Sequence, residues 1–478
     1  MTSVNMQTLA GEKMALSSSD VERFESSLKG DVIRSSDTAY DESRSIWNGM
    51  IDRKPSLIAR CKDRDDVVAA VNFSRKHNLM TSIRSGGHHV AGKSICDEGL
   101  VIDLTQMNSV EVDPDKHIAR VQGGAKLGDL DEATSPYNLI APIGVVSETG
   151  VAGLTLHGGF GWNSRKHGLA SDNLISVEIV TADGKVIRAS NSENSDLFWA
   201  LRGGGGNFGV ATEFEFRLHP IESEVWLLFT IYPLSEAKKC MEYFRDNIQD
   251  TPEEFGIIEV FWSAPDADFI PEEYRGEPVL VSLGCFTGDP DEGEKVIAPF
   301  RKIAEPIADL SEKMPFKEIQ KVLDEDFPNG RHYYWKSVYI NEVNDNIIER
   351  ITEHAKKRPS PLSSVDVWAL GGKVNRVDPE STAFYQRNAP YMIGIEANWN
   401  DPDDSEANIQ WARDIHDEFK NDLDAGLYLN FPGFAEEGEE MLAKTYGPNY
   451  RRLKDIKTKY DPDNFFRGFM NLSGNGSK

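Results

Sequence analysis

Two adjacent imidazoles, His88 and His89, follow a glycine pair in Arg84-Ser85-Gly86-Gly87-His88-His89. A neutral imidazole is nucleophilic near neutral pH, and glycines let a ligand approach the main chain closely. Two more glycine clusters follow. One runs from Gly153 through His157, Gly158, Gly159 and Phe160 to Gly161. The other reads Gly203-Gly204-Gly205-Gly206-Asn207-Phe208-Gly209. One such cluster reads first as a tight turn. Three within about 125 residues point to backbone N–H groups converging on a large phosphorylated ligand. The third holds a GxGxxG at Gly204, Gly206 and Gly209, but a dinucleotide fingerprint follows a strand and opens a helix. Here a helical pattern (195–201) precedes it and the alternating run VATEFEF follows, so a nicotinamide Rossmann site is excluded.

A second set of candidates lies in apolar, strand-like surroundings. His332-Tyr333-Tyr334-Trp335-Lys336-Ser337 places a lysine among aromatics. Alternation groups Tyr334, Lys336 and Val338. Burial would depress the pKa of Lys336 and make it a base, with an outward lysine as the plain alternative. Glu396, inside Met392-Ile393-Gly394-Ile395-Glu396-Ala397, is a further candidate. An acid in an apolar strand is either buried and perturbed or on an exposed face.

The elements that must position these groups are mixed. Residues 64–78 put Val67, Ala70, Val71 and Ser74 on one helical face. Residues 100–104 and 118–122 read as short strands, and 175–189 alternates with a hairpin turn at Asp183-Gly184. After Pro220 the texture changes. Ala237, Cys240, Met241, Phe244 and Ile248 line an amphipathic helix. Strands over 256–264 and 277–286 follow, then helices near 344–357 and 407–420. The reading is α+β, with boundaries near Pro220 and within 425–440. The polar, Ser-rich opening segment, Met1 to Ser18, is set aside as a mobile tail.

Composition narrows the function classes. Of 478 residues, 52 are Lys or Arg and 78 Asp or Glu, a net charge of −26. Such a surface repels phosphate backbones and anionic lipid, so nucleic-acid and membrane roles are disfavoured. Cys61, Cys96, Cys240 and Cys285 form no CxxC pair, which argues against zinc and for a reducing, cytoplasmic compartment. No metal site is expected. No signal-peptide core and no apolar run of about 18 residues is found.

Five blocks in order carry a specific likeness: RSGGHHVAG (84–92), VQGGAKLGDLD (121–131), GVAGLTLHGGFGWNSRKHGLASDNL (150–174), LFWALRGGGGNFGVATEFEFRL (197–218) and YGPNYRRLKDIKTKYDPDNFF (446–466). With them the chain resembles the FAD-linked oxidases of the vanillyl-alcohol-oxidase superfamily, with a PCMH-type FAD-binding domain. The branch is that of berberine-bridge-enzyme-like and 6-hydroxy-D-nicotine-oxidase-like proteins. The likeness spans nearly the whole chain. It implies a two-domain α+β flavoprotein. Both chain ends (19–220 and 436–478) would form an FAD-binding domain of two α+β subdomains. Residues 221–435 would form a substrate domain with an antiparallel sheet and covering helices.

The resemblance also implies a histidyl bond from His88 to the flavin 8α-methyl, with His89 as the neighbouring alternative. Arg84, Ser85, Gly86 and Gly87 would face the pyrophosphate, Arg84 being free to point elsewhere. Gly150, Gly153, Gly158, Gly159, Gly161, Trp162, Gly209, Val210 and Asn430 are the further cofactor-binding candidates. Many relatives carry a second, cysteinyl link just before the segment matching Gly150-Val151-Ala152-Gly153. Here Ile143-Gly144-Val145-Val146-Ser147-Glu148-Thr149 has no cysteine. One covalent bond is therefore expected, and a compact or flat substrate.

The family's substrate wall has a late strand with Tyr and Asn directed at the flavin. Leu427-Tyr428-Leu429-Asn430-Phe431-Pro432 stands there, with Phe431 where relatives often have a second Tyr. Tyr428 is the first candidate for catalytic base, Lys336 its competitor, and Asn430 would orient substrate or flavin. The expected activity is an FAD-dependent oxidase taking a hydride from a small alcohol or amine and reducing O2 to H2O2. The alternatives are a dehydrogenase with another acceptor, an oxidase of sugars or secondary metabolites, and a flavin binder without turnover. A monomer or homodimer is expected.

Overall fold

The computed structural model describes residues 3–423, 426–434, 436, 438–467 and 471–472. Near the start, the strands Asp31–Arg34, Leu57–Arg60, Leu100–Asp103 and Thr81–Arg84 form one sheet in that order. Leu100–Asp103 runs parallel to both Leu57–Arg60 and Thr81–Arg84. Helix Arg64–Lys76 covers it, capped by the Asp63 carboxylate, which accepts from the amides of Asp65 and Asp66. Val67, Ala70 and Val71 are buried beneath that helix, as their spacing predicts. The Thr81–Arg84 strand delivers the first glycine cluster at its carboxyl end, where open α/β sheets place ligands.

A five-stranded antiparallel sheet follows, ordered Val186–Ser190, Leu174–Val180, Val210–Arg217, Ile118–Gln122, Val110–Asp113. Its hairpin turns at Gly184, whose φ of +76° suits glycine. Helix Ser195–Leu201 precedes the third glycine cluster and strand Val210–Arg217 leaves it, the order that excludes a Rossmann site.

The largest sheet is antiparallel, ordered Ala308–Asp309, Val225–Pro233, Pro278–Phe286, Phe255–Ser263, Ser364–Ala369, Tyr391–Trp399, His332–Ile340. Its strands read as nearly continuous apolar runs because both faces are buried. One face carries Leu228, Phe261, Val367, Ile393 and Ile395 under helices Ala237–Asn247, Pro290–Arg301, Asp345–Lys356 and Ser405–Leu423. Phe244 is fully buried there, and burying one such side chain contributes roughly 1.5–3 kcal/mol. The opposite face looks toward the glycine clusters.

The chain then returns. Helices Glu439–Tyr446 and Asn449–Tyr460 bury Leu442, Tyr446, Leu453 and Ile456 against Trp199 and Ala200. Lys457, wholly enclosed, donates to Asp461 Oδ2 at 2.6 Å, Phe466 O at 2.6 Å and Asn207 O at 2.8 Å. That network fastens the end of the chain to the third glycine loop. Breaking one member of such a buried pair costs about 3–5 kcal/mol.

From Val4 onward the opening segment is ordered, contrary to the tail expected of it. Val4–Gln7 and Lys13–Leu16 pair antiparallel, and Met6, Leu9 and Leu16 are buried with Phe24, Leu79 and Phe466. These scattered apolar side chains suffice, because the turn at Gly11 brings them onto one patch. Among the described residues no helix is long and apolar enough to cross a membrane.

Candidate active site

One continuous cavity lies between the glycine loops and the open face of the largest sheet. On its first wall, Gly86 and Gly150 are pressed together. A Cβ on Gly86 would sit 2.5 Å from the Gly150 nitrogen, so neither position has room for a side chain. Ser85, Gly86, Gly87, His88, His89, Gly150, Gly153 and Gly209 all line this wall. Gly153 and Gly206 have no atom within 4 Å of where a Cβ would stand, so their main chain borders open space. The Ser85 hydroxyl is buried with no protein partner. Small residues, bare backbone and an orphaned hydroxyl fit the close approach of a large polar ligand such as FAD.

His88 is held by an aromatic stack. Its ring lies 4.0 Å from that of Trp47, and Trp47 lies 3.6 Å from the ring of Tyr333 on the large sheet. Trp47 is itself fixed by its Nε1–H, donated to Phe327 O at 2.9 Å. Burial pushes the His88 pKa down to about 3, so the imidazole is neutral, and Nε2 has no hydrogen-bond partner. His89 differs, because its Nδ1 accepts the Ala91 amide at 3.0 Å. That leaves Nε2 of His89 carrying the proton in the neutral ring, a poor nucleophile.

Tyr428, Asn430 and Phe431 also line the cavity. They do not form the expected strand. Phe431 N donates to Tyr428 O at 2.9 Å, so the segment turns ahead of Pro432. The two side chains still meet, and Asn430 Nδ2 donates to the Tyr428 hydroxyl at 2.8 Å. The backbone N–H groups of Gly159 and Phe160 also face that oxygen. Burial raises the Tyr428 pKa to about 12, while Asn430 and these two amides act in the opposite direction. Phe160 stacks on the Tyr428 ring at 4.3 Å.

Several expected residues stand elsewhere. Lys336 is buried on the helix-covered face of the His332–Ile340 strand, 3.4 Å from Glu436, and is not part of the cavity wall. Alternation decides this, since Trp335 takes the cavity side and Tyr334, Lys336 and Val338 take the other. Tyr334 donates to Glu436 beside it, and Arg413 completes the cluster at 3.0 Å. Arg84 donates to Ser43 O and also lies outside the lining. Gly158, Gly159 and Gly161 stand outside the lining, Gly159 serving the site only through its amide on the Tyr428 hydroxyl. Gly158 and Gly159 turn with φ of +104° and +75° to present Phe160, and Gly161 is packed against Ile143 O. Trp162 is core, with its carbonyl packed on Gly256, and Val210 pairs with Val180 across the five-stranded sheet. None of these three glycines, nor Trp162 or Val210, lines the cavity.

Beside Glu396, already a candidate from the sequence, the sheet wall holds groups that no motif marks. Ser364, Asp366 and Trp368 alternate along one strand, with Glu396 and Asn398 on the next. Glu396 is buried, not exposed. Asp366 carried one signal, a lone acid in a β-branched strand, but only the pairing with Tyr391–Trp399 sets it beside Glu396. Trp47 had none, because its stacking partners His88 and Tyr333 stand far from it along the chain.

Comparison with known proteins agrees with this geometry. Residues 55–190 match the FAD binding domain family, and 427–471 match the berberine and berberine-like family. An FAD-linked oxidoreductase of Dictyostelium discoideum is 32% identical, over 95% of this chain and 96% of its own. The (R)-6-hydroxynicotine oxidase of Paenarthrobacter nicotinovorans is 31% identical, over 94% of this chain and 98% of its own. The crystal structure of 6-hydroxy-D-nicotine oxidase from Arthrobacter nicotinovorans superposes with a TM-score of 0.81 at 30% identity, covering 93% of this chain and 98% of that one. With bare glycine backbone, a neutral histidine and a tyrosine around one cavity, this chain belongs to the berberine-like FAD-linked oxidoreductases and is an FAD-dependent oxidoreductase.

Proposed function

We propose that this protein is an oxidase that takes a hydride from a small alcohol or amine and delivers the electrons to O2, with FAD tethered through His88 alone. The reading divides the chain into an FAD-binding domain from 19–220 and 436–478 and a substrate domain from 221–435. Bound between them, FAD supplies a two-electron acceptor.

The chain's own residues do the rest. Ser85, Gly86, Gly150, Gly153 and Gly209 offer backbone and a hydroxyl to the cofactor. The Trp47–His88 stack fixes the imidazole, and its unprotonated nitrogen is the nucleophile for attachment. Val146 or Ser147 stands about where relatives carry the cysteinyl link, and neither offers a thiol. The sheet wall, with Ile258, Val260, Trp262 and Trp368, excludes water and selects a compact apolar substrate. Once its own proton has passed to solvent, the Tyr428 phenolate receives the substrate proton at Oη, and Asn430 with the Gly159 and Phe160 amides offsets part of the burial that opposes that phenolate.

The observation that carries the reading is the shared cavity. His88, whose Nε2 has no hydrogen-bond partner, and Tyr428 in its three-donor cradle line one space. The first test is intact-protein mass after acid denaturation, with peptide mapping. The mass of one FAD on the peptide holding His88 and His89 is expected. Unmodified protein beside free yellow flavin would overturn the tether. Oxygen consumption with concurrent H2O2 on adding a donor separates the oxidase from a dehydrogenase that uses another acceptor.

A further inference from the structure

Asp366 and Glu396 are buried on adjacent strands of the sheet wall, at 5% and 3% exposure. The pairing sets Ser364 opposite Glu396 and Asp366 opposite Gly394. Gly394 therefore leaves the space beside Asp366 clear. The nearest atoms to a Cβ there would be Phe431 Cε2 at 3.5 Å and Asp366 Cβ and Oδ2 at 3.6 Å. Phe431 lies 5.5 Å, ring to ring, from Tyr428, which brings the carboxyls into the neighbourhood of the proposed base.

The two carboxyls are near enough to share a proton, with the Ser364 hydroxyl beside Asp366. That contact needs one proton between them, since two adjacent buried carboxylates cannot both ionise. Burial and mutual repulsion push both above the usual carboxylate range, consistent with one shared proton. Once Asp366, held up to about 7 by burial, loses its proton, the pair presents one negative charge. Asp366 Oδ1 and Glu396 Oε2, one oxygen from each, have no hydrogen-bond partner. Among the described residues no salt bridge reaches either carboxyl. Arg331 is committed to Asp326 O and Asn400, and Arg467 to Leu9 O and Asn464 O. Lys93 lies on the glycine-loop wall, near Arg53. A buried charge without a counterion is costly unless a ligand supplies one. The surrounding wall is apolar and aromatic, with Ile258, Val260, Trp262 and Trp368.

We propose that Asp366 and Glu396 form a receptor for a protonated amine, so that the substrate is a compact apolar or aromatic amine bound as its cation. This rests on the cavity being the substrate site of the proposed oxidase, and it chooses the amine over the alcohol. The two cavity-lining carboxyls accept the ammonium N–H groups, and the tryptophans take the apolar body.

The test is calorimetric binding to the flavin-loaded protein near neutral pH, with two matched pairs of probes: benzylamine against benzyl alcohol, and cyclohexylamine against cyclohexanol. Each ammonium is expected to bind at least about tenfold more tightly than its alcohol. Asp366→Asn/Glu396→Gln is expected to bring each pair to within about twofold, while either single variant keeps one ionisable carboxyl and loses less. Equal binding of amine and alcohol by the unaltered protein, or no amine binding, overturns the receptor whether or not the variants fold. Selectivity that survives in the folded double variant overturns it as well. The two readings fail separately. Oxidation of alcohols with no amine preference would leave the oxidase standing without the receptor. Amine-selective binding with no turnover of any bound amine would leave the receptor standing without the oxidase.

Discussion

The two walls of the cavity are built on opposite principles. The glycine-loop wall is made of main chain. Its specificity lies in what is missing, with side chains absent at Gly86, Gly150, Gly153 and Gly206 and the imidazoles of His88 and His89 left neutral. The sheet wall is made of side chains, aimed by strand alternation and by register between strands distant in sequence. Backbone cradles suit a ligand common to many proteins, since they recognise phosphate and ring edges without a distinctive side chain. Side-chain walls suit a ligand particular to one protein. The first wall thus identifies the cofactor class, and the second carries the substrate choice.

Substitutions on each wall and one pH series test that contrast. The largest effect is expected on the backbone wall. His88→Ala should abolish covalent flavin, read by mass, while His89→Ala should retain it. Attachment that persists in His88→Ala would move the link to its neighbour. On the other wall, Tyr428→Phe removes the hydroxyl but keeps the ring stack on Phe160, and kcat should fall by roughly 10²-fold. Unchanged turnover would reduce Tyr428 to packing.

Lys336→Met separates proximity in sequence from membership of the wall. Facing Glu436 behind the sheet, it should cost on the order of 2 kcal/mol of stability, seen in urea unfolding. Its effect on kcat should be far smaller than that of Tyr428→Phe. A loss of the same size would restore Lys336 as the base.

Asp366→Asn probes the sheet wall through stability. The Asp366 carboxyl, facing Ser364 and Glu396, is raised by burial above its unfolded value. Its protonated form therefore favours folding at low pH, and that contribution is lost as pH rises from about 4 toward neutrality. The variant should gain on the unaltered protein across that window, by on the order of 1 kcal/mol or more, in paired melting curves. A constant difference across pH would mean that the carboxyl is not perturbed. The smallest effect should be on the glycine wall. With His88 held down to about 3, the extent of flavin attachment should not vary between roughly pH 5 and 8. A rise in attachment near the ordinary histidine pKa would show that the imidazole is protonated in the folded protein.

How much was legible follows the same division. Helices with a single apolar face, such as Arg64–Lys76 and Asp345–Lys356, could be read from spacing because one face decides them. The amino-terminal hairpin could not, because Met6, Leu9 and Leu16 form no periodic pattern and gain their burial from Phe24, Leu79 and Phe466. Tyr428 and Asn430 were paired for the wrong local reason. A strand was expected and a turn is present, yet the two side chains meet. Arg84, Gly158, Gly161, Trp162 and Val210 sit inside or beside the right motifs but outside the cavity lining, and Gly159 reaches the site only through its amide on the Tyr428 hydroxyl, since a motif marks a segment and not the direction of each side chain.

By itself the sequence determined the glycine loops. Contiguous glycines and the histidine after them need only local chain geometry, although the fold brings the loops together where Gly86 meets Gly150. Only the tertiary structure decided the substrate wall. Whether Lys336 or Trp335 faces the cavity depends on which face of the sheet the helices cover. Whether Asp366 meets Glu396 depends on register, and a slip of one residue would turn every side chain of a strand to the other face.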